Sequence, residues 1–443
     1  MIFMTIPTAG TRQGLLEKLI EDSQLPPERV VIVATREGLQ VPEGVVLVED
    51  LGPVNIQRWW LRGIEEAERR GARHVAVAND DISIGPGSLQ DLSQALDETG
   101  AAIAGGVTTV VAMPTTDPVV DSPADVRLIL ERAAHQGQCR VLPTAMLTQG
   151  GEGTHLAEMA TLTDAGCVAL AQGNRPFVSE KVKHNALKYA ASLGLTVILD
   201  SEAQDFAGGC AHAGHVGVGL GLSLNPALSE TLGLMTDLAL VKATGVRAHF
   251  SRLTTAESVA RIADAKAQGL PVTCDVSLAH LLFDERALSN LDPVYHLERP
   301  LRSSADCAAL IQGVAEGTID AIVSDHSPHE PGAKLAPFPE TETGMSLLDT
   351  TLPYLWSIHQ QSEVAFEILV DAMTRRPAAL LGLSELAHIQ SGWIADAVLF
   401  DPESSTHVSA ETLSSLGHNH PGFGTSLPGR VAQVWIAGQS ALV

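Results

Sequence analysis

Asp325 and His326 stand in the segment Ser324-Asp325-His326-Ser327-Pro328-His329, directly after the apolar run Ala321-Ile322-Val323. A carboxylate at a strand end can move a proton, and imidazoles spaced HxxH can share a metal ion. As a metal pair, His326 and His329 need two further ligands, and no neighbouring motif supplies them. They are expected to be loop histidines with a hydrogen bond each. His418 and His420 form the chain's only HxH, in a C-terminal loop far from a strand end, and are read as a solvated turn. Gly105-Gly106 and the stretch Gly214–Gly221 lack a strand–GxGxxG–helix setting with a downstream acid, so no dinucleotide site is read there.

The elements that would position these groups alternate along nearly the whole chain. Short apolar runs (29–33, 74–77, 107–111, 196–199 and 321–323) are separated by helical patterns at 124–134, 179–192 and 258–268. Continuous apolar strands between helices predict a parallel sheet covered on both faces, hence an α/β fold. Three segments differ in rhythm. Residues 1–98 carry their own βαβ pattern and residues 99–392 the long alternation. Residues 393–443 change to short strands with Asp401-Pro402, Pro421-Gly422 and Pro428-Gly429 at expected turns.

The formal charge is −24, from 52 acidic and 28 basic side chains. That balance argues against nucleic acid or an anionic membrane surface as partner. The N-terminal MIFMTIPTAGTRQG has too short an apolar run for a signal peptide, and no stretch approaches a membrane helix. Cys139, Cys167, Cys210, Cys274 and Cys307 are scattered singly, as expected of reduced thiols in a cytoplasmic protein.

One collinear series narrows the reading. Gly105-Gly106-Val107-Thr108-Thr109-Val110-Val111-Ala112-Met113-Pro114 is followed by Ala165-Gly166-Cys167-Val168-Ala169, Leu281-Leu282-Phe283 and Pro300-Leu301-Arg302. Ser324–His329 and Ala395-Asp396-Ala397-Val398-Leu399-Phe400-Asp401-Pro402 complete it. This series resembles dihydroorotase, of the amidohydrolase superfamily, over about residues 100–443. The resemblance implies a (β/α)8 barrel with its site at the strand C-termini, and zinc held by histidines and an aspartate. Zinc would lower the pKa of a bound water and polarise a ring amide.

Placed on this sequence, most of the implied ligands are missing. No HxH precedes Ala101; the first barrel aspartate is replaced within Leu170-Ala171-Gln172-Gly173-Asn174; Ser201 and Arg252 stand where two histidines are implied. Only Asp325, at the implied catalytic aspartate, is retained. Two implied substrate contacts are altered as well, to Thr115 and Glu298. One aspartate cannot hold a divalent ion against water, so no zinc is expected. An arginine at a former ligand position would repel a metal and could pair with Asp325.

The runs Arg247–Thr254 and His329–Phe338 are similar to the dihydroorotase-like, non-catalytic chain of aspartate carbamoyltransferase assemblies. That likeness implies a hetero-oligomer with the carbamoyltransferase catalytic chain in pyrimidine synthesis. An active zinc dihydroorotase is the alternative. Residues 1–98 instead resemble the nucleotide-binding half of a family-2, GT-A-type glycosyltransferase. There Asp80 and Asp81 would hold a divalent ion on a sugar nucleotide's diphosphate, a third reading of function. The expected architecture is thus a Rossmann-like half domain, a barrel lacking its first strand, and a C-terminal β appendage left from the amidohydrolase sandwich.

Overall fold

The computed structural model describes residues 2–8, 30–34, 46–49, 69, 74–77, 98–136, 138–383 and 385–441. The chain divides into two compact units, Met1–Leu96 and Asp97–Val443. In the first, β1 (Ile2–Thr8), β2 (Val30–Ala34), β3 (Val46–Glu49) and β4 (His74–Val77) form a parallel sheet in the order β3-β2-β1-β4. That order matches the first four positions of a doubly wound parallel sheet. Asp80 and Asp81 lie outside the described residues.

The second unit is built on parallel strands. β5 (Thr109–Ala112) pairs with β6 (Arg140–Pro143), which runs through Thr144 into β7 (Ala145–Met146). From β7 the sheet continues through β8 (Leu170–Ala171), β9 (Thr196–Leu199), β12 (Arg247–Phe250), β13 (Val272–Ser277) and β14 (Ala321–Val323). A short parallel pair, β10 (Ala211–His212) and β11 (Leu224–Asn225), lies outside this arc. Among the described residues the arc has seven strand positions, and no strand pairs with the outer edge of β5 or of β14. Strands buried on both faces explain the near-continuous apolar runs: all four residues of β9 are buried, as are Val272, Cys274 and Val276 of β13.

Local signals set the helix starts. Ser179 caps the helix Glu180–Ser192 by accepting from the Val182 N–H, and Thr255 caps Ala256–Ala267 by accepting from Ser258. Ser303 and Asp306 form a reciprocal capping box at the helix Ser304–Glu316. The expected helices at 124–134, 179–192 and 258–268 thus fall on Pro123–Gln136, Glu180–Ser192 and Ala256–Ala267.

The C-terminal segment departs from its expected short strands. β15 (Ala397–His407) and β16 (Ser426–Ile436) are long antiparallel partners, extended by β17 (Gln439–Ala441). Pro402, Pro428 and Gly429 lie inside these strands, and the ladder shifts register between Asp401 and Ser405. A bulge there accommodates the prolines, which cannot donate to the ladder. Gly429 has φ +80°, and the Phe400 ring occupies the space a side chain would need.

Candidate functional site

The C-terminal ends of β9, β12, β13 and β14 converge on one arginine. Arg252, two residues past β12, donates from Nη2 to Asp200, the residue after β9. Its Nη1 donates to Glu298 Oε2 at 2.7 Å and to Asp325 Oδ1 at 3.4 Å. Its backbone N–H donates to Asp275 Oδ1, on β13, at 2.6 Å. Asp325 follows β14 by two residues, so β9, β12 and β14 deliver their charged groups just beyond their last pairing residues, while Asp275 lies within β13.

Backbone conformation marks the same two positions. Arg252 has φ 56° and Asp325 φ 47°, the left-handed region that costs a non-glycine residue about 1–2 kcal/mol. The bonds that Arg252 makes hold that strained turn so that its side chain projects across the strand ends.

A second arginine completes the arrangement. Arg299, almost wholly buried, donates to Asp200 and, at 3.1 Å, to the Ser201 carbonyl. Burial alone would raise the Asp200 carboxyl, but Arg252 and Arg299 outweigh it and hold the group at about 2. Burial also opposes charge on Arg252, yet Asp200, Asp325 and Glu298 keep it protonated well above its ordinary range. Asp325 behaves oppositely: burial, helped by Glu298 and Asp200, pushes its carboxyl up despite the attraction of Arg252.

The remaining sequence-marked positions are close by but differently engaged. The Ser201 hydroxyl points to Asp237 Oδ2 at 2.6 Å, and Lys183 pairs with the same carboxylate. Glu298 accepts from Asn174 as well as from Arg252. Thr115 is exposed and lies against Gly173 at the end of β8. His249 bridges Thr273 Oγ1 and Asp275 Oδ2, both at 2.8 Å. His326, its side chain nearly buried, contacts Glu98 Oε2 through Nε2 at 2.6 Å and accepts from the Leu347 and Leu348 N–H groups. His329 reaches the Thr343 carbonyl.

The sequence reading of His418 and His420 needs correction. His418 is exposed, but His420 is buried, bonded to Thr350 Oγ1 and the Gly422 N–H, and stacked on Tyr354. The loop returns over the barrel segment 345–354, which covers this ring. Burial lowers its pKa to about 4.

Two members of the cluster, Asp200 and Arg299, carry no motif that marks them in the sequence. Asp200 closes the run Thr196–Leu199, and Arg299 precedes Pro300-Leu301-Arg302. Their signal is a lone charge ending an apolar run, which sequence alone does not separate from a solvated loop.

These side chains do not fit a zinc ion. The carboxylates of Asp200, Glu298 and Asp325 already accept from Arg252, and the Ser201 hydroxyl is turned to Asp237. Among the described residues no group of three or more His, Cys, Asp or Glu side chains is arranged to hold a metal. A permanent cation at the centre repels a second one.

Residues 95–441 match the model of the amidohydrolase family. A dihydroorotase-like protein of Pseudomonas aeruginosa is 39% identical over 414 residues, covering 90% of this chain and 97% of that protein. Another, of Pseudomonas putida, is 42% identical over 342 residues, covering 77% and 80%. A dihydroorotase of Geobacter sp. is 34% identical over 340 residues, covering 76% and 80%. Among solved structures, the L-hydantoinase of Arthrobacter aurescens superposes with a TM-score of 0.70 at 22% identity, covering 78% of this chain and 81% of the other. That likeness concerns the fold: a parallel α/β unit with a small C-terminal antiparallel sheet. No helix among the described residues is long and apolar enough to cross a membrane. The chain belongs to the amidohydrolase family, and the relatives described here are dihydroorotase-like proteins and dihydroorotases.

Proposed function

We propose that this dihydroorotase-like amidohydrolase is non-catalytic and serves as a scaffold chain for aspartate carbamoyltransferase in pyrimidine synthesis. The observation that carries the reading is the Arg252 cluster. A guanidinium spans Asp200, Glu298 and Asp325 where an amide hydrolase of this family would require a metal-bound water. Asp325, the retained family aspartate, is tied to Arg252 and has no activated water to deprotonate. Ser201 and Arg252 are read as lost metal ligands, Thr115 and Glu298 as lost substrate contacts.

The two most similar relatives reported above are named dihydroorotase-like, whereas the more distant Geobacter protein is named dihydroorotase. That ordering favours the non-catalytic reading without supplying a partner. Association is tested by mixing the purified chain with an aspartate carbamoyltransferase catalytic chain and measuring sedimentation. A co-sedimenting complex at micromolar concentration is expected; separate boundaries there would remove the scaffold role.

A second reading concerns residues 1–98 alone. The parallel order β3-β2-β1-β4 favours a nucleotide-binding half with Asp80 and Asp81 just beyond β4. Manganese-dependent binding of a uridine diphosphate sugar, abolished by Asp81→Ala, is the outcome it requires. Absence of binding would dismiss it.

A further inference from the structure

The three carboxylates that receive the Arg252 side chain are each held by something other than Arg252. Asp200 accepts through its other oxygen from Arg299, which also donates to the Ser201 carbonyl at 3.1 Å. Glu298 accepts through Oε1 from the side chain of Asn174, three residues past β8, and through Oε2 from Arg252. Asp325 is aimed by its own backbone, at φ 47° two residues past β14. The turn that carries Arg252 is fixed in the same way. Asp275 accepts the Arg252 N–H at 2.6 Å on one oxygen, and meets His249 Nε2 at 2.8 Å and the Ser251 hydroxyl at 3.1 Å on the other. Removing the Arg252 side chain therefore leaves its acceptors in place. Acceptors that keep their positions without the group they accept from are a preformed binding site.

Charge and geometry select what that site takes. Arg252 Nη2 reaches Asp200, while Nη1 reaches Glu298 at 2.7 Å and Asp325 at 3.4 Å. Two amino groups of one planar fork thus serve three carboxylates from three separate segments. An ammonium is a single point of charge on a flexible stem and does not span them. Among the described residues, the one other cation paired with these three carboxylates is Arg299, on Asp200. Without Arg252, three carboxylates share one positive charge.

The site also has an open side. Side-chain exposure is 35% at Glu298 and 27% at Asp325, against 5% at Asp200. A soluble cation can enter past Glu298 and Asp325 once the Arg252 side chain is absent, and reach Asp200 at the bottom.

We infer that the strand ends form a preformed guanidinium-binding site, which the chain fills with its own Arg252. The inference rests on the reading that no metal occupies these strand ends; it does not depend on a carbamoyltransferase partner.

The test is chemical rescue in the full-length chain. Arg252→Ala removes the atoms that ethylguanidinium carries. Urea unfolding of this variant is followed with ethylguanidinium, ethylammonium or sodium, each as the chloride at about 10 mM; a Kd of about 1 mM for ethylguanidinium lowers the unfolding constant about tenfold. Ethylammonium and sodium leave it unchanged, and the wild-type chain responds to none of the three. Adding Glu298→Gln to Arg252→Ala weakens the rescue. Arg252→Gly suits φ 56° and carries the same test should the alanine variant not fold. Arg252→Lys keeps the charge but loses the fork, and unfolds at lower urea than the wild type. No response to ethylguanidinium in the alanine and glycine variants, an equal response to ethylammonium, or a lysine variant as stable as the wild type would overturn the inference. So would stabilisation of those variants by zinc in place of ethylguanidinium. Zinc bound one to one by the wild-type chain would overturn the metal-free reading and this inference with it. A zinc-free wild-type chain whose Arg252 variants ignore ethylguanidinium would overturn this inference alone.

Discussion

At the scale of single residues, Arg252 and Asp200 are the pair on which the site rests. Arg252→Ala leaves the almost buried Asp200 with Arg299 alone and unpairs Asp325 and Glu298. A loss of about 2–4 kcal/mol is expected, read as a lower urea midpoint at unchanged slope. Asp325→Asn should cost nothing or raise stability slightly, because burial already disfavours the charge on that carboxyl. Asp200 also predicts a pH dependence. Its folded value of about 2 lies below the ordinary 3.8, so below about pH 4 the unfolded chain takes up the proton first. The stabilisation is complete above that pH and disappears as pH falls toward 2, about 2–3 kcal/mol in all. Acid unfolding of Asp200→Asn should lack this limb; an identical limb in both proteins would show that Asp200 is not the group responsible.

At the scale of elements, the cluster exists because four parallel strands end in register and deliver one charged group each. Behind them Glu230, buried on the helix Ala227–Thr244, accepts from the N–H and hydroxyl groups of both Thr254 and Thr255. It thereby fastens that helix to the turn carrying Arg252. Glu230→Ala orphans those buried donors and should cost about 3 kcal/mol, measurable by urea unfolding; a shift below about 1 kcal/mol would contradict the fastening role.

Much of this was legible in the residues. Thr196–Leu199 and Ala321–Val323 read as strands and are strands, because an apolar run buried on both faces needs no knowledge of its neighbours. Asp325 could be singled out by its place after such a run, and Arg252 through the family resemblance. Their partners could not. Asp200, Asp275 and Arg299 join the cluster only after long-range strand pairing, with the members of one ion pair as many as 99 positions apart. The β15–β16 ladder escaped for another reason. Its prolines and Gly429 mimic turns, and only the register shift at Asp401–Ser405 reconciles them with a long hairpin.

At the scale of the whole molecule, the arc of parallel strands is open between β14 and β5 among the described residues. The helical residues 98–104 and the C-terminal sheet share a small core beside β5 and β6: Ala101, Ala102 and Ile103 pack with Cys139, Leu348, Val431 and Val434. The main core lies among the other strands and the helices outside them. An amidohydrolase unit thus keeps its packing while its strand ends carry an arginine-centred ion cluster, and that separation of fold from chemistry is the central claim. Its most direct test is dihydroorotate turnover by the purified chain, with and without added zinc, alongside the zinc content of the protein. No turnover and no stoichiometric zinc are expected in either condition. Zinc-dependent turnover, with zinc bound one to one, would contradict it.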